Sequence, residues 1–143
     1  KLHLDPHRGT MDASALQAHA AARFGLSGRT VLVTGGTKGI GAAIVEEMAA
    51  LGARVFTCSR NAKDLQSALG AWKARGLQVE GCVADVSSLE QRTLLVEKVA
   101  AAFDQRLHVL VNNVGTNIRK PTVEYTSAEF QTIMSTNLES AFN

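Results

Sequence analysis

Eight residues, ThrGlyGlyThrLysGlyIleGly at positions 34 to 41, restrict the possible folds of this chain more than any other stretch. They follow an apolar run of strand length, Thr30 to Val33, and lead straight into a segment of helical period. In a strand-turn-helix unit, Gly35 permits a tight turn, Gly39 lets backbone approach a diphosphate, and Gly41 lets the helix lie against the strand without an intervening Cβ. The helix N-terminus then presents free N–H groups and a partial positive charge to phosphate oxygens. Three glycines alone would be weak grounds, but here the strand before and the helix after are both predicted, and that context gives the motif its meaning.

The same alternation continues to the end of the chain. A helix from about Ile40 to Leu51, with Ile40, Ala43, Ile44, Met48 and Leu51 on one face, stops at Gly52. A second strand, Arg54 to Cys58, leads to a helix over 63 to 75 with Leu65, Leu69 and Trp72 on one side and Gly76 at its end. Gln78 to Ala84 is the third strand. Ser88, with Gln91 three residues on, is placed to cap a helix reaching Phe103, in which Leu95, Val99 and Phe103 stack at four-residue spacing. The fourth strand is Leu107 to Val111, and Ser127 or Thr126 caps a last helix containing Phe130, Ile133, Met134, Asn137 and Leu138. Strand runs that are nearly all apolar suit positions covered on both faces. The predicted fold is therefore α/β, a Rossmann-type doubly wound parallel sheet in the order 3-2-1-4, truncated after about four strands.

Two regions are expected: residues 1-27 as a partly disordered leader with a short helix over Asp12 to Phe24, and residues 28-143 as an incomplete dinucleotide-binding domain. Because Lys1 is not Met and Met11 opens an Ala-rich stretch, Met11 is expected to be the natural start. A hydrophobic share of 45% against 20% charged is that of a globular chain, and a net charge of +2 offers no basic surface for nucleic acid or membrane. Cys58 and Cys82 lie in apolar runs without metal-ligand spacing, so both are expected to be core thiols and no metal site is expected. His3, His7 and His19 fall in the leader and His108 opens a strand, so none is assigned chemistry. A cytoplasmic location is the default reading.

Thr34, Gly35, three residues and GlyIleGly at 39 to 41 resemble the cofactor motif of the short-chain dehydrogenase/reductase family. AspVal at 85 and 86 looks like that family's adenine-contacting pair, AsnAsnValGly at 112 to 115 resembles its AsnAsnAlaGly, and Asn137 stands where its fourth catalytic residue is expected. The runs over 112 to 122 and 135 to 142 are most similar to the plant tropinone reductase homologues. The resemblance implies that Gly35, Thr37, Lys38, Gly39, Ile40, Gly41, Asp85, Val86, Asn112, Asn113 and Gly115 bind the cofactor. It also implies that Asn137 serves in a proton relay.

Sites for NAD usually close the second strand with a carboxylate that bonds the ribose 2′-hydroxyl. This chain instead has ThrCysSerArgAsn at 57 to 61. Arg60 can grip a 2′-phosphate through two N–H groups, Ser59 can donate a hydroxyl bond, and Lys38 adds charge at the same end, so NADP(H) is the expected cofactor. The family's Ser and its Tyr-x-x-x-Lys pair are not found here. The sole tyrosine, Tyr125, is followed by ThrSerAlaGlu and is read as a loop or packing residue, and Arg119 and Lys120, on the ligand side of the sheet, are read as solvated loop charges, with contact to cofactor or substrate as the alternative. The expectation is the amino-terminal half of an NADPH-dependent carbonyl reductase, taking a small-molecule ketone and forming a homo-oligomer when full length. A naturally truncated, non-catalytic nucleotide-binding or dimer-poisoning module and an acyl-thioester ketoreductase are the alternatives.

Overall fold

A computed structural model describes residues 12 to 142, and the readings made on residues 1 to 11, including Met11 as the start, lie outside the described residues. Helix α1 (Ala13–Phe24) precedes three strand-helix units: β1 (Thr30–Thr34) with α2 (Gly39–Ala50), β2 (Arg54–Ser59) with α3 (Ala62–Ala74), and β3 (Val79–Val83) with α4 (Leu89–Ala102). Strand β4 (Val109–Val111) is followed by a 3-10 turn (Thr122–Glu124), helix α5 (Ser127–Met134), a π-helical segment (Ser135–Glu139) and a last helical turn, α6 (Ser140–Phe142). The strands are parallel in the order β3-β2-β1-β4, as expected.

Alternation along β1 and β2 divides the core between the two sheet faces. Val31, Val33 and Val55 pack with Val45 and Ala49 of α2 and Trp72 of α3, whereas Leu32, Phe56 and Cys58 pack with Leu95 and Val99 of α4 and with Phe103. Cys58 and Cys82 are free thiols on adjacent strands and are Cα partners in the β2–β3 ladder. The helix stops at Gly52 and Gly76 both lie at positive φ, 96° and 74°, the conformation that favours glycine after a helix end.

Two sequence expectations need correction. The buried face of α2 is Gly41, Val45 and Ala49, with Ile44 and Met48 at its flanks, while Ala43 and Leu51 are exposed and Ile40 is 76% exposed. The cause is close approach: a Cβ on Gly41 would run into the Gly35 carbonyl, so Gly41 must face the turn, and Val45 and Ala49, one and two turns on, follow it onto the sheet side while Ile40 is turned outward. Strand β4 starts at Val109 and not at Leu107. Just before it, the His108 ring takes the place of a backbone acceptor, its Nδ1 receiving the Thr30 N–H at 3.1 Å. The last helix widens to a π turn over Ser135–Glu139, around Asn137.

Candidate cofactor site

The glycine turn is fastened from both neighbouring strands. Gly35, at φ 70°, donates its N–H to the Cys58 carbonyl at 3.0 Å, and Gly36 donates to Thr57 Oγ1 at 3.0 Å. The Thr57 hydroxyl in turn donates to the Val33 carbonyl at 2.7 Å, and its residue is fully buried. From the β4 side, Asn113 Nδ2 donates to the carbonyls of Thr34 (2.9 Å) and Gly35 (3.2 Å), while its N–H donates to Thr34 Oγ1 at 3.1 Å. Asn113 thus lies behind the turn and holds its shape. Thr57 was missed in the sequence; the available signal was a hydroxyl in an otherwise apolar strand, in register with Val33.

Side chains cap α3, α4 and α5, through Asn61, Ser88 and Thr126, but no side chain caps α2 at Lys38. The first-turn N–H groups of α2 are therefore without a side-chain acceptor, beside a turn whose glycines leave room for backbone approach. That donor set suits a diphosphate. Exposed Gly39 and Ile40 stand at this helix mouth, next to half-buried Thr37.

A cleft of about 170 Å³ opens beside the turn, lined by Ser59, Arg60, Ala84, Asp85, Val86, Val114, Gly115 and Thr136. It brings together five residues singled out in the sequence from three separate motifs: Ser59, Arg60, Asp85, Val86 and Gly115. Ser59 Oγ accepts from Thr37 Oγ1 at 3.3 Å and from the Asn61 N–H at 3.2 Å, tying the ends of β1 and β2 together. Burial works to raise the Asp85 carboxyl, but hydrogen bonds from the Ser87 hydroxyl and N–H, with the charge of Arg60, hold it below the usual carboxylate value. Lys38 does not line this cleft; its Nζ pairs with Asp64 at 2.7 Å. A larger groove of about 650 Å³ runs between α3 and β3 but is lined by none of the motif residues.

Past β4, exposed Asn112 leads into a loop held at both ends. Asn137 grips Thr116 twice, Oδ1 accepting its N–H at 2.7 Å and Nδ2 donating to its carbonyl at 2.9 Å. Farther on, the Tyr125 hydroxyl donates to the Ile118 carbonyl, in keeping with its reading as a loop residue. Lys120 is not the solvated charge the sequence suggested: its Nζ meets both oxygens of Glu129, at 2.7 and 2.6 Å. The Lys120 ammonium and the Thr126 N–H and hydroxyl pull the Glu129 carboxyl down to about 2.

Residues 29 to 143 match the family described as short chain dehydrogenase. A tropinone reductase homolog of Arabidopsis thaliana is 58% identical over 121 residues, covering 85% of this chain and 46% of the relative. A second such homolog, named as chloroplastic, is 54% identical over 130 residues, covering 91% of this chain and 40% of its own length. Among solved structures, an actinorhodin polyketide ketoreductase variant with NADPH superposes with TM-score 0.76 at 32% identity, covering 80% of this chain and 43% of that one. The Pseudomonas aeruginosa RhlG complex with NADP gives TM-score 0.76 at 34% identity, over 83% and 46% of the two chains. The chain spans under half the length of the relatives it matches.

Proposed function

The chain belongs to the short chain dehydrogenase family, and from that premise we propose that residues 28-143 form the NADP(H)-binding part of a carbonyl reductase of tropinone reductase-like type. The complete natural protein carrying this sequence would transfer hydride between NADPH and a small-molecule ketone or its secondary alcohol. The observation that carries the choice of cofactor is the end of β2, where Ser59 and Arg60 line the cleft and no carboxylate occupies the strand end. A carboxylate there would repel a 2′-phosphate, whereas a guanidinium can bond it through two N–H groups.

The residues fit the dinucleotide in three places. The uncapped first turn of α2 with Gly35, Thr37, Gly39, Ile40 and Gly41 would hold the diphosphate, and Arg60, Ser59 and Lys38 the 2′-phosphate. Asp85, Val86 and Gly115 would hold the adenosine. When bound, the cofactor supplies a hydride equivalent from its nicotinamide ring. Asn112 lies toward the reacting end, and Asn137, through its grip on Thr116, keeps open the π turn from which a proton relay is served. Phe130, Leu138 and Phe142 are exposed on the last helical segments and supply an apolar surface for self-association. A cytoplasmic location is part of this reading; no helix among the described residues is long and apolar enough to cross a membrane.

The test is the ratio of kcat/KM for NADPH to that for NADH in the complete protein and in Arg60→Asp. Loss of the charge-assisted bonds and the added repulsion should each cost about 1.5 to 3 kcal/mol, a ratio change of roughly tenfold or more. An unchanged ratio would remove Arg60 from the site.

A further inference from the structure

Arg92 is an expensive residue for its position. It is only 7% exposed on α4, and none of the ion pairs among the described residues includes it. Its Nε has no hydrogen-bond partner, and its one bond is from Nη1 to the Val86 carbonyl at 2.6 Å. A buried guanidinium without a carboxylate is costly, and an apolar side chain of similar size would pack beside Leu95 and Val99 without that cost. What the guanidinium does that an apolar residue cannot is fix the direction of one carbonyl, by a short charge-assisted bond.

That carbonyl belongs to the turn that lines the cleft. The residue beside Arg92 grips the same turn from the other side: Gln91 Oε1 accepts the Asp85 N–H at 2.7 Å. Gln91 therefore does not return to the backbone of Ser88 as a capping box would require, although the Ser88 hydroxyl accepts the Gln91 N–H at 3.4 Å. The Ser88 N–H also donates to the Asp85 carbonyl at 3.1 Å. The first turn of α4 thus holds Asp85 by its N–H and its carbonyl, and Val86 by its carbonyl, leaving the Asp85 side chain and the Val86 surface directed at the cleft.

We infer that Gln91 and Arg92 are positioning residues for the adenosine end of the cofactor, acting through Asp85 and Val86 without touching the ligand. The inference rests on the proposed placement of adenosine between β3 and the loop after β4. In the complete protein, Gln91→Ala and Arg92→Met should each weaken binding of 2′,5′-ADP, a probe lacking the nicotinamide half, by roughly three- to tenfold, with Arg92→Lys recovering most of the loss because it keeps a donor to Val86. In turnover the loss should fall on KM for NADPH more than on kcat. Gln91 is exposed, so its variant tests the idea where the buried Arg92→Met destabilises the fold. Asp85→Ala separates the two levels. If it leaves 2′,5′-ADP binding unchanged, the placement of adenosine fails. If Asp85→Ala weakens binding but Gln91→Ala and Arg92→Met in folded protein do not, or if Arg92→Lys is as weak as Arg92→Met, the positioning role is overturned.

Discussion

Lys38 and Asp64 form an ion pair, so the role proposed for Lys38 at a 2′-phosphate has a competitor. The lysine side chain is 73% exposed and the carboxylate 30%, so the pair is worth little to stability but sets a competition for one ammonium group. In the complete protein Asp64→Asn should tighten NADP binding by roughly two- to fivefold, the range exposed ion pairs support, and leave NAD binding unchanged. Titration calorimetry with both cofactors measures this, and equal changes for the two would rule the competition out. Cys58 gives a second residue-scale expectation. Burial pushes its thiol up to about 11, while an unfolded thiol ionises near 8.5 to 9. A group whose folded value is raised contributes stability that is intact below the unfolded value and is lost as pH rises through the folded one. Melting temperature should therefore decline between about pH 9 and 11, and Cys58→Ala should flatten that decline.

At the scale of elements, the π turn is where a side chain overrides helical propensity. Asn137 is unfavourable within a helix, and here its amide is satisfied by Thr116 in the loop across the site, so the ladder opens around it. Asn137→Ala should let the segment close to α-helix and release Thr116. The expected result is a loss in kcat on the order of 10², with cofactor affinity changed less than about twofold. Normal turnover would sink the assignment. The local pattern marks Asn137 but not its partner Thr116, which lies 21 residues away. The caps Asn61 of α3 and Ser88 of α4 follow from local chemistry, and the order of the sheet follows from the doubly wound pattern taken as a whole. The inward face of α2 does not: the contact of Gly41 with Gly35 fixes that face as Gly41, Val45 and Ala49, rotated away from the face that the apolar pattern marks. Thr57 and Asn113 show the same limit, since their roles depend on which strands become neighbours.

For the molecule as a whole, the decisive feature is the free side of β4. The strand pairs with β1 alone among the described residues, and its Leu110 is half exposed, as is Leu107 nearby. Two apolar-lined cavities, of about 250 and 210 Å³, flank this side and share Leu32, Val96 and Leu107 in their walls. Phe142 is 86% exposed at the end of the described chain. An unpaired edge beside exposed leucines is a template for pairing with another chain. The chain spans under half the length of the curated relatives it matches. Residues 11 to 143 expressed alone should therefore self-associate, seen as oligomer or aggregate in size-exclusion chromatography at micromolar concentration. They should also show no NADPH oxidation with a panel of ketones. The sequence contains no Tyr-x-x-x-Lys pair, and loss of a placed proton donor alone costs about 10² to 10⁴ in rate. The glycine turn lies at the other end of β1 from Thr30 and is held by β2 and the residues after β4, so if it is the diphosphate site proposed, NADP should still raise the melting temperature of whatever soluble species remains. A soluble monomer that melts cooperatively and turns over a ketone would refute both the edge argument and the placement of the chemistry outside these residues. A soluble monomer without turnover would refute the edge argument alone.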